Sequence, residues 1–416
     1  MRHLLRLFVI ALCAVSLRAQ AVTGLQDATV RYVSSTGSDA NAGSSWQAAK
    51  ATVGAAIGSL PQTPWYPNNR YGTIYVGPGT FMETATPIEF SGQIHLVCAS
   101  SGDGSSGQGS VIKLGSGRNT SLLSYTAAFA AANGYAHFLQ VDNCTFDGNS
   151  QSNPAGSAGL VRVYNGGFGN TFRNVTFQNA TGFALDIENQ AVNFSCYTCS
   201  FGGIYGNGGA VYVNDLAGGN VVLFVDTQID NSGASPIVIN QASSDTGSSN
   251  QFTFINLKTE ASLGLATHQH VITFSPRPTP YGNPVNITVN GLTSVDTIGT
   301  GDAVLYEASQ PGAGANWMVS SVSSVNYPKA FRSDKTGQVS VGSYIRTLSA
   351  SDTSLAYSYA PEMEFSGGAG VLVGHGSPQG IVSGKVGTLY LRLDGSPGAT
   401  LYVKESGTST TGWAAK

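Results

Sequence analysis

Apolar and polar residues alternate in short segments that recur along the middle of the chain. The clearest are FLQVDNCTF (138–146), NTFRNVTF (170–177), NFSCYTCSF (193–201) and LFVDTQI (223–229), followed by FTFINLKT, NITVNGLTS and WMVSSVSS. Aligning each on the residue after its asparagine-like position gives Cys144, Val175, Cys199, Thr227, Leu257, Leu292 and Val322, separated by 31, 24, 28, 30, 35 and 30 residues. Alternation with period two predicts strands, and recurrence near 30 residues predicts a repeat architecture.

A second strand-like segment lies in each repeat. These segments are GLVRVYN, FALDIEN, AVYVND, PIVINQ, HVITFS and AVLYEA, and no helical pattern interrupts them. Two or three short strands in a unit of about 30 residues favour a parallel β-helix over a propeller, whose four-stranded blades need about 40–50 residues. Asparagine and glycine between the strands are suited to left-handed corners. The predicted fold is therefore an all-β, right-handed parallel β-helix.

Stacking the second strands in register separates inward from outward positions. The inward pairs are all aliphatic: Val161/Val163, Leu185/Ile187, Val211/Val213 and Ile237/Ile239. The outward column is Arg162, Asp186, Tyr212 and Val238, and the next is Tyr164, Glu188, Asn214 and Asn240, with Asp215 at the corner. Neighbouring coils lie about 4.8 Å apart and outward residues along a strand about 6.6–7 Å apart. The sequence thus predicts one compact outward patch.

The chemistry of this patch suits a sugar. Asp186 and Glu188 are near enough for one to hold a proton while the other stays ionised, as acid/base glycoside cleavage requires, and they are the candidate catalytic residues. The candidate substrate-binding residues are Arg162, Tyr164, Tyr212, Asn214 and Asp215. The patch also suits Ca²⁺ or an acidic sugar. The alternative is a solvated face on which Arg162 and Asp186 only stabilise the sheet, and we prefer that alternative.

The two ends of the chain differ from the repeat. Residues 1–21 combine a basic start, an apolar stretch and the small residues of AQA, which predicts a signal peptide and export. We divide the rest into a cap with the first coils (22–115), the main coils (116–350) and a linker with a C-terminal β-hairpin segment (351–416). A capping helix is expected over Trp46 to Leu60, with Ser44 or Ser45 as N-cap and Pro61 beyond its end. The segment GTIYVGPGTF that follows is the expected first strand.

Composition narrows the classes of partner. Only 10% of residues are charged and 53 are glycine, which disfavours amphipathic surface helices. The formal charge of −3 falls to about −6 when the three arginines of the signal segment are removed. That balance excludes nucleic acid and anionic membranes as expected partners. No later segment is long and apolar enough for membrane insertion.

The opening motif YVSSTGSDANAG…WQAA…GTIYVGPGTF resembles that of the pectate-lyase-like right-handed parallel β-helix superfamily, which includes phage tailspikes and exported bacterial proteins. The resemblance covers Arg31 to Arg346 and implies the fold but no single activity, because the superfamily holds lyases, hydrolases, tailspikes and adhesins. The tail, GTLYLRLDG-SPGA-TLYVKESG…GW, alternates as a hairpin does and resembles a phage tail-fibre C-terminal segment.

Three further motifs suggest other chemistry. Outside the signal segment the cysteines are Cys98, Cys144, Cys196 and Cys199, and we prefer free buried thiols to disulfides. The HQH motif (268–270) offers two imidazoles without an evident third ligand, so no metal site is predicted. His375 lies in a Gly-His-Gly as in polygalacturonases, but the accompanying Asn-Thr-Asp, Asp-Asp and Arg-Ile-Lys motifs are missing. We therefore expect a loop residue there.

The functional prediction is an exported β-helix protein that binds extracellular or cell-surface polysaccharide without strong catalytic activity. Two alternatives stay open. One is a polysaccharide lyase or glycoside hydrolase that acts through the Asp186/Glu188 face, and the other is a structural fibre or adhesin subunit. No cofactor is expected apart from Ca²⁺, and a homo-trimer is the assembly that the fibre alternative favours.

Overall fold

The computed structural model describes residues 29–62, 69–90, 92–102, 109–125, 138–154, 159–164, 167–188, 191–204, 209–215, 221–230, 232, 235–241, 250–261, 270–276, 285–296, 303–308, 315–324, 327, 329–333, 340–341, 363–364 and 369–416. The predicted signal peptide lies outside these residues. Helix α1 is Val53–Gly58.

Most of the remaining structure is strand. The first strands, β1 to β9, are Val30–Val33, Arg70–Val76, Gly79–Glu83, Ile88–Glu89, Gly92–Cys98, Ser110–Leu114, Leu123–Tyr125, Phe138–Asp142 and Thr145–Asp147. Strands β10 to β19 are Val161–Tyr164, Gly167–Phe168, Thr171–Arg173, Thr176–Gln178, Leu185–Glu188, Ala191–Val192, Phe194–Tyr197, Ser200–Gly202, Val211–Asp215 and Val221–Asp230. Strands β20 to β32 are Ile237–Gln241, Asn250–Ala261, Ile272–Ser275, Val285–Asp296, Ala303–Glu307, Ala315–Ser324, Lys329–Ser333, Ser340–Val341, Met363–Glu364, Gly370–Gly374, Leu389–Arg392, Leu401–Lys404 and Trp413–Ala415.

Two long parallel sheets run the length of the repeat region. The site sheet contains, in spatial order, β4, β7, β10, β14, β18, β20, β22, β24 and β26. The large sheet has two rows of strands, called legs below, and both pair with β19. The first leg is β1, β2, β5, β8, β12 and β16, and the second is β3, β6, β9, β13 and β17. Strands β21, β23, β25 and β27 then follow on β19. Since each strand pairs with its counterpart one coil away, the predicted parallel β-helix is confirmed.

One backbone corner repeats in seven successive coils of the large sheet, from the coil of β8 and β9 to that of β25. A residue with φ between 51° and 76° separates the two legs, or interrupts the long strands that replace them, at Asn143, Asn174, Thr198, Asp226, Asn256, Gly291 and Ser321. Each of these directly precedes one of the residues on which the repeat was aligned. Side chains join the column, since Asn174 Nδ2 donates to Asn143 Oδ1 at 2.8 Å and Asn256 Nδ2 to Asp226 Oδ1 at 2.9 Å. The predicted left-handed corners are confirmed.

The core lies inside the coils, where inward side chains of successive strands stack. Phe146, Phe177 and Phe201 have ring centroids 5.6 and 4.7 Å apart. A second ladder, with centroids 5.4 to 6.1 Å apart, consists of Phe172, Phe194, Phe224 and Phe254. All are buried, as the alternation of apolar and polar positions predicts.

The N-terminal cap differs from the sequence prediction in its bounds. Helix α1 begins at Val53 with Thr52 as N-cap and ends before Ser59, so the segment from Trp46 to Lys50 is not helical. Lys50 instead forms an isolated parallel bridge with Val33 of β1. Ser45 caps a turn at Ala48. Because backbone pairing to β1 holds this segment, the helix that buries Val53, Ala56 and Ile57 on the first coil is only six residues long.

Two further N-terminal features differ from expectation. The first strand that the structure describes is β1, which pairs in parallel with β2 and precedes the segment predicted to be first. Glu83 of β3 adds to the cap that Thr52 provides for α1, because its carboxylate accepts hydrogen bonds from Val53 N at 2.6 Å and Gly54 N at 3.3 Å. Burial raises the pKa of Glu83 to about 7 despite these two donors.

The preference for free thiols was wrong. Cys98 is joined to Cys144, and Cys196 is joined to Cys199. The first bridge links β5 to the corner of the next coil, and the second spans the corner beside Thr198. All four side chains are buried. Stacking brings Cys98 and Cys144 together from adjacent coils, a proximity that their separation of 46 residues does not reveal.

The C-terminal strands β28 to β32 form a separate sheet. Strands β30 and β31 pair antiparallel, which confirms the predicted hairpin. This sheet has an apolar cluster of its own, distinct from the core of the coils, which contains Leu372, Val382, Tyr390, Tyr402 and Trp413. The opposite face leaves Leu391 and Leu393 41% and 65% exposed. His375 follows β29 in a bend and is exposed, as predicted for a loop residue.

Candidate functional site

The site sheet brings the predicted patch together. Strands β10, β14 and β18 pair in parallel, with Arg162 opposite Asp186 and Asp186 opposite Tyr212. The column extends to Ser124 of β7 on one side and Val238 of β20 on the other. Glu188, Asn214 and Asn240 form the neighbouring column. The register inferred from the aliphatic inward pairs is therefore confirmed residue by residue.

Asp186 lies deeper than an outward position predicts. Its residue exposure is only 5%, whereas the Arg162 side chain is 32% exposed. The backbone at Gly159 lies directly against it, because a Cβ on Gly159 would be 2.3 Å from Asp186 Cβ. Only glycine at that position permits this approach. The preferred interpretation of a solvated face therefore fails at Asp186.

The charges of the site are arranged around Arg162. Its guanidinium forms an ion pair with Glu188, and its Nε lies 3.6 Å from Asp186 Oδ2. Burial, and then the neighbouring charge of Glu188, raise the pKa of Asp186 from its ordinary 3.8 to about 8, although Arg162 opposes the shift. At neutral pH Asp186 therefore holds a proton beneath the Arg162–Glu188 pair. The catalytic roles of the two carboxyl groups stay a prediction.

Tyr212 forms the wall of the site on the next coil. Its ring stacks on Phe183 with centroids 4.7 Å apart. Burial raises the pKa of Tyr212, and a hydrogen bond with Asn240 opposes that shift. Asn240 Nδ2 also donates to Asn214 Oδ1 at 3.1 Å. Tyr212 and Asn214 are half-buried, so a fixed aromatic ring and an amide pair lie beside the ion pair.

Three adjacent outward residues carry buried polar atoms without a hydrogen-bond partner in the part of the chain that the structure describes. They are Ser124 Oγ, Arg162 Nε and Asp186 Oδ1. Buried polar atoms in native proteins are nearly always paired, so such a group calls for an explanation. Two donors and one acceptor in a single column match the hydroxyl groups of a polar ligand.

The other two predicted binding residues are placed only by their backbones. Tyr164 pairs with Glu188 at the end of β10, and Asp215 pairs with Gln241 at the end of β18. Both thus lie at the predicted edge of the patch. The positions of their side chains are outside the described structure, and their roles stay predictions.

Sequence reasoning missed a second polar cluster on the outward face of the large sheet. His95 Nε2 lies 2.5 Å from Asp142 Oδ2, and Arg173 Nη1 lies 3.5 Å from Asp142 Oδ1. The repeat alignment contains the signal that would have found it, because Asp142 and Arg173 each lie two residues before an aligned position. The position two residues before the aligned one is outward in each of the seven aligned coils.

The potential metal ligands of the described residues are dispersed. His, Cys, Asp and Glu side chains there form no group of three or more that could hold a metal ion. His270 instead bonds the carbonyl of Ala303 through Nδ1 at 2.8 Å and stacks on Tyr306. His268 lies outside the description, and calcium binding stays a prediction. No described helix is long and apolar enough to cross a bilayer.

Fold and site together define a parallel β-helix protein with a polar site on an outward sheet face. No protein-family model and no curated protein matches the chain. Solved structures of other proteins are similar to it. A Geobacillus virus E2 protein, ORF18, has 15% identity and a TM-score of 0.36 over 69% of this chain, which spans 59% of the virus protein.

Two further similar structures are those of enzymes. Pectate lyase Pel9A has 18% identity and a TM-score of 0.31, over 79% of this chain and 84% of the lyase. The A-module of mannuronan C-5 epimerase AlgE4 from Azotobacter vinelandii has 12% identity and a TM-score of 0.25, over 64% of this chain and 91% of the module. Those activities belong to the named proteins.

Proposed function

We propose that this chain is an exported protein that binds extracellular or cell-surface polysaccharide at the outward face of the site sheet, without strong catalytic activity. The observation that carries the proposal is the column of Ser124, Arg162 and Asp186, in which each side chain has a buried polar atom without a hydrogen bond to the rest of the described chain. Tyr212 borders this column.

The chemistry of the column favours a sugar over an apolar ligand. Sugar hydroxyl groups donate and accept hydrogen bonds at once, so one pyranose ring can engage both the Arg162 guanidinium and a carboxylate oxygen. The Tyr212 ring offers an amphipathic surface at the same place. Because Arg162 is paired with Glu188 and Asp186 keeps its proton, the site has little net charge and does not require a charged ligand.

The direct test is retention on a polysaccharide panel of pectate, alginate, dextran and cellulose, for the wild type and for Arg162→Gln and Glu188→Gln. Each substitution breaks the ion pair while keeping most of the side-chain volume, and we expect a loss of retention of about tenfold. Lys258→Gln is the matched control, because Lys258 pairs with Glu260 at 3.3 Å on the large sheet. Unchanged retention of both site variants would disprove the assignment of the site.

Catalysis is a second candidate, and the raised pKa of Asp186 favours it. A carboxyl group that keeps its proton near neutral pH is able to act as a general acid. A screen for reducing sugars and unsaturated products separates the two functions. Turnover by the wild type that Asp186→Asn and Glu188→Gln abolish would establish an enzyme, whereas retention without turnover supports the binding protein.

The fibre alternative is favoured by one observation on the C-terminal sheet. Leu391 and Leu393 lie on its exposed face, which would be covered in a homo-trimer. Light scattering on the full chain and on Leu391→Ser/Leu393→Ser tests this assembly. A trimer that the double variant converts to a monomer supports it, and a wild-type monomer contradicts it.

A further inference from the structure

On the outward face of the large sheet, near the N-terminal cap, one column of paired residues changes abruptly in side-chain size. Tyr32, Tyr75 and Val97 are paired in register on consecutive coils, and Asp142 and Arg173 continue the same column. A short valine therefore lies between a large aromatic side chain and two charged ones. Two coils, about 10 Å, separate Tyr75 from Asp142. We call the space above Val97, with its borders, the Tyr75 notch.

The aromatic border of the notch is held in place from behind. The rings of Tyr32 and Tyr75 stack with centroids 5.7 Å apart and an interplanar angle of 26°, so the other face of Tyr75 is turned towards Val97. Trp46 packs edge-on against Tyr32 at 4.9 Å. Gly77 leaves room for the indole, because a Cβ there would be 3.3 Å from the Trp46 ring. Tyr75 is nevertheless 38% exposed.

The polar border consists of His95, Asp142 and Arg173. Asp142 is held between the imidazole at 2.5 Å and the guanidinium at 3.5 Å, one on each carboxylate oxygen. The His95 and Arg173 side chains are 36% and 51% exposed, compared with 21% for Asp142. Asp142 is thus fixed by two partners, while Arg173 keeps most of its donors in solvent.

We infer that the Tyr75 notch is a second carbohydrate subsite, specific for a ring that carries a carboxylate, as in a uronate polysaccharide. The apolar face of the ring would lie on Tyr75 and Val97, its hydroxyl groups would reach His95 and Asp142, and its carboxylate would pair with Arg173. Aromatic stacking with bidentate guanidinium recognition is the combination that an acidic sugar requires. The ligand class rests on the proposed function, but the face is separate from the site sheet.

The experiment measures affinity for polygalacturonate and for dextran by affinity electrophoresis. We expect Tyr75→Ala to weaken polygalacturonate binding about 3- to 10-fold and Tyr75→Phe, which keeps the ring, to preserve it within about twofold. Arg173→Gln should weaken polygalacturonate binding and leave any dextran binding unchanged. Because the Arg173 side chain is half exposed, this variant keeps its fold even if Tyr75→Ala does not, which circular dichroism checks.

The outcomes separate this inference from the proposed function. If Arg162→Gln weakens glycan binding while Tyr75→Ala and Arg173→Gln leave it unchanged, the notch is overturned and the site on the site sheet stands. If only the notch variants weaken binding, the notch stands and the site assignment fails. A wild-type protein that does not bind polygalacturonate overturns the notch directly.

Discussion

Asp186 combines an outward strand position with burial, and that combination sets the chemistry of the candidate site. The carboxyl group lies against the Gly159 backbone and beneath the Arg162–Glu188 ion pair. Taking a carboxylate out of water is costly, so the group keeps its proton instead. The outcome is a neutral hydrogen-bonding group at a place where the sequence shows a charge.

This burial predicts a pH-dependent stability. With a folded pKa of about 8 against an ordinary 3.8, the folded protein holds a proton that the unfolded chain releases, so the free energy of unfolding falls as the pH rises from about 4 to about 8. Asp186→Asn removes this contribution. Each tenfold difference in proton affinity corresponds to about 1.4 kcal/mol.

Melting temperatures at pH 5, 6, 7 and 8 test this prediction. The wild type should lose stability towards pH 8 more steeply than Asp186→Asn. A smaller slope should remain in the variant, because the raised pKa of Glu83 acts in the same direction between about 4.5 and 7. Asp226→Asn, which removes an exposed carboxylate, is the matched control. Parallel curves for the wild type and Asp186→Asn would contradict the account.

The orientation of single residues was predictable where the alternation of apolar and polar positions determines it. The inward aliphatic pairs fixed the register, and with it the contacts of Arg162 with Asp186 and of Glu188 with Asn214. The burial of Asp186 was not predictable, because it depends on Gly159, which lies one coil away. Of the notch, only Asp142 and Arg173 were readable from the repeat alignment, because Tyr75 and Val97 precede its first aligned segment.

At the scale of the element, the corner column is the most regular feature of the coil. Its seven left-handed positions match the repeat alignment, and four of them are asparagine or glycine, which tolerate that conformation best. The capping helix was predicted too long, because helix propensity within Trp46 to Lys50 yields to the pairing of Lys50 with β1. The local sequence thus predicts the corners of the coils better than the ends of the capping helix.

Thr198 is the only β-branched residue among these seven corner positions and provides a test of the column. It is a β-branched residue at φ 53°, a conformation that costs such side chains about 1–2 kcal/mol. Thr198→Asn should raise the free energy of unfolding by about 1 kcal/mol, because asparagine accepts the corner and is able to donate to Asn174. Urea unfolding measures the change, and Thr198→Gly separates relief of the backbone from the new hydrogen bond. A variant less stable than the wild type would contradict this prediction.

At the scale of the whole molecule, stability comes from stacking one coil on the next. The phenylalanine ladders and the corner column both run along the axis, so each coil is supported mainly by its neighbours. Periodicity predicted this architecture without any knowledge of side-chain contacts. Periodicity did not predict the Cys98–Cys144 disulfide, because the two residues are 46 positions apart and meet only when the coils are stacked.

The Cys98–Cys144 disulfide should stabilise the folded protein more than the Cys196–Cys199 disulfide. Cross-linking a longer loop restricts the unfolded chain more, by about 4 kcal/mol for Cys98–Cys144 and about 2 kcal/mol for Cys196–Cys199. We expect Cys98→Ala/Cys144→Ala to lower the free energy of unfolding more than the matched control Cys196→Ala/Cys199→Ala. Guanidinium unfolding of both variants gives the difference. Equal losses would contradict the loop-length argument.

The central claim is that the Arg162–Asp186–Tyr212 face binds polysaccharide. Isothermal titration calorimetry of the wild type and Arg162→Gln, with the polysaccharide that the panel retains best, tests it most directly. The account predicts saturable binding by the wild type and an affinity at least about tenfold weaker for Arg162→Gln, with the melting temperature of the variant close to that of the wild type. Equal affinities for the two proteins, or the absence of heat with every glycan in the panel, would contradict it.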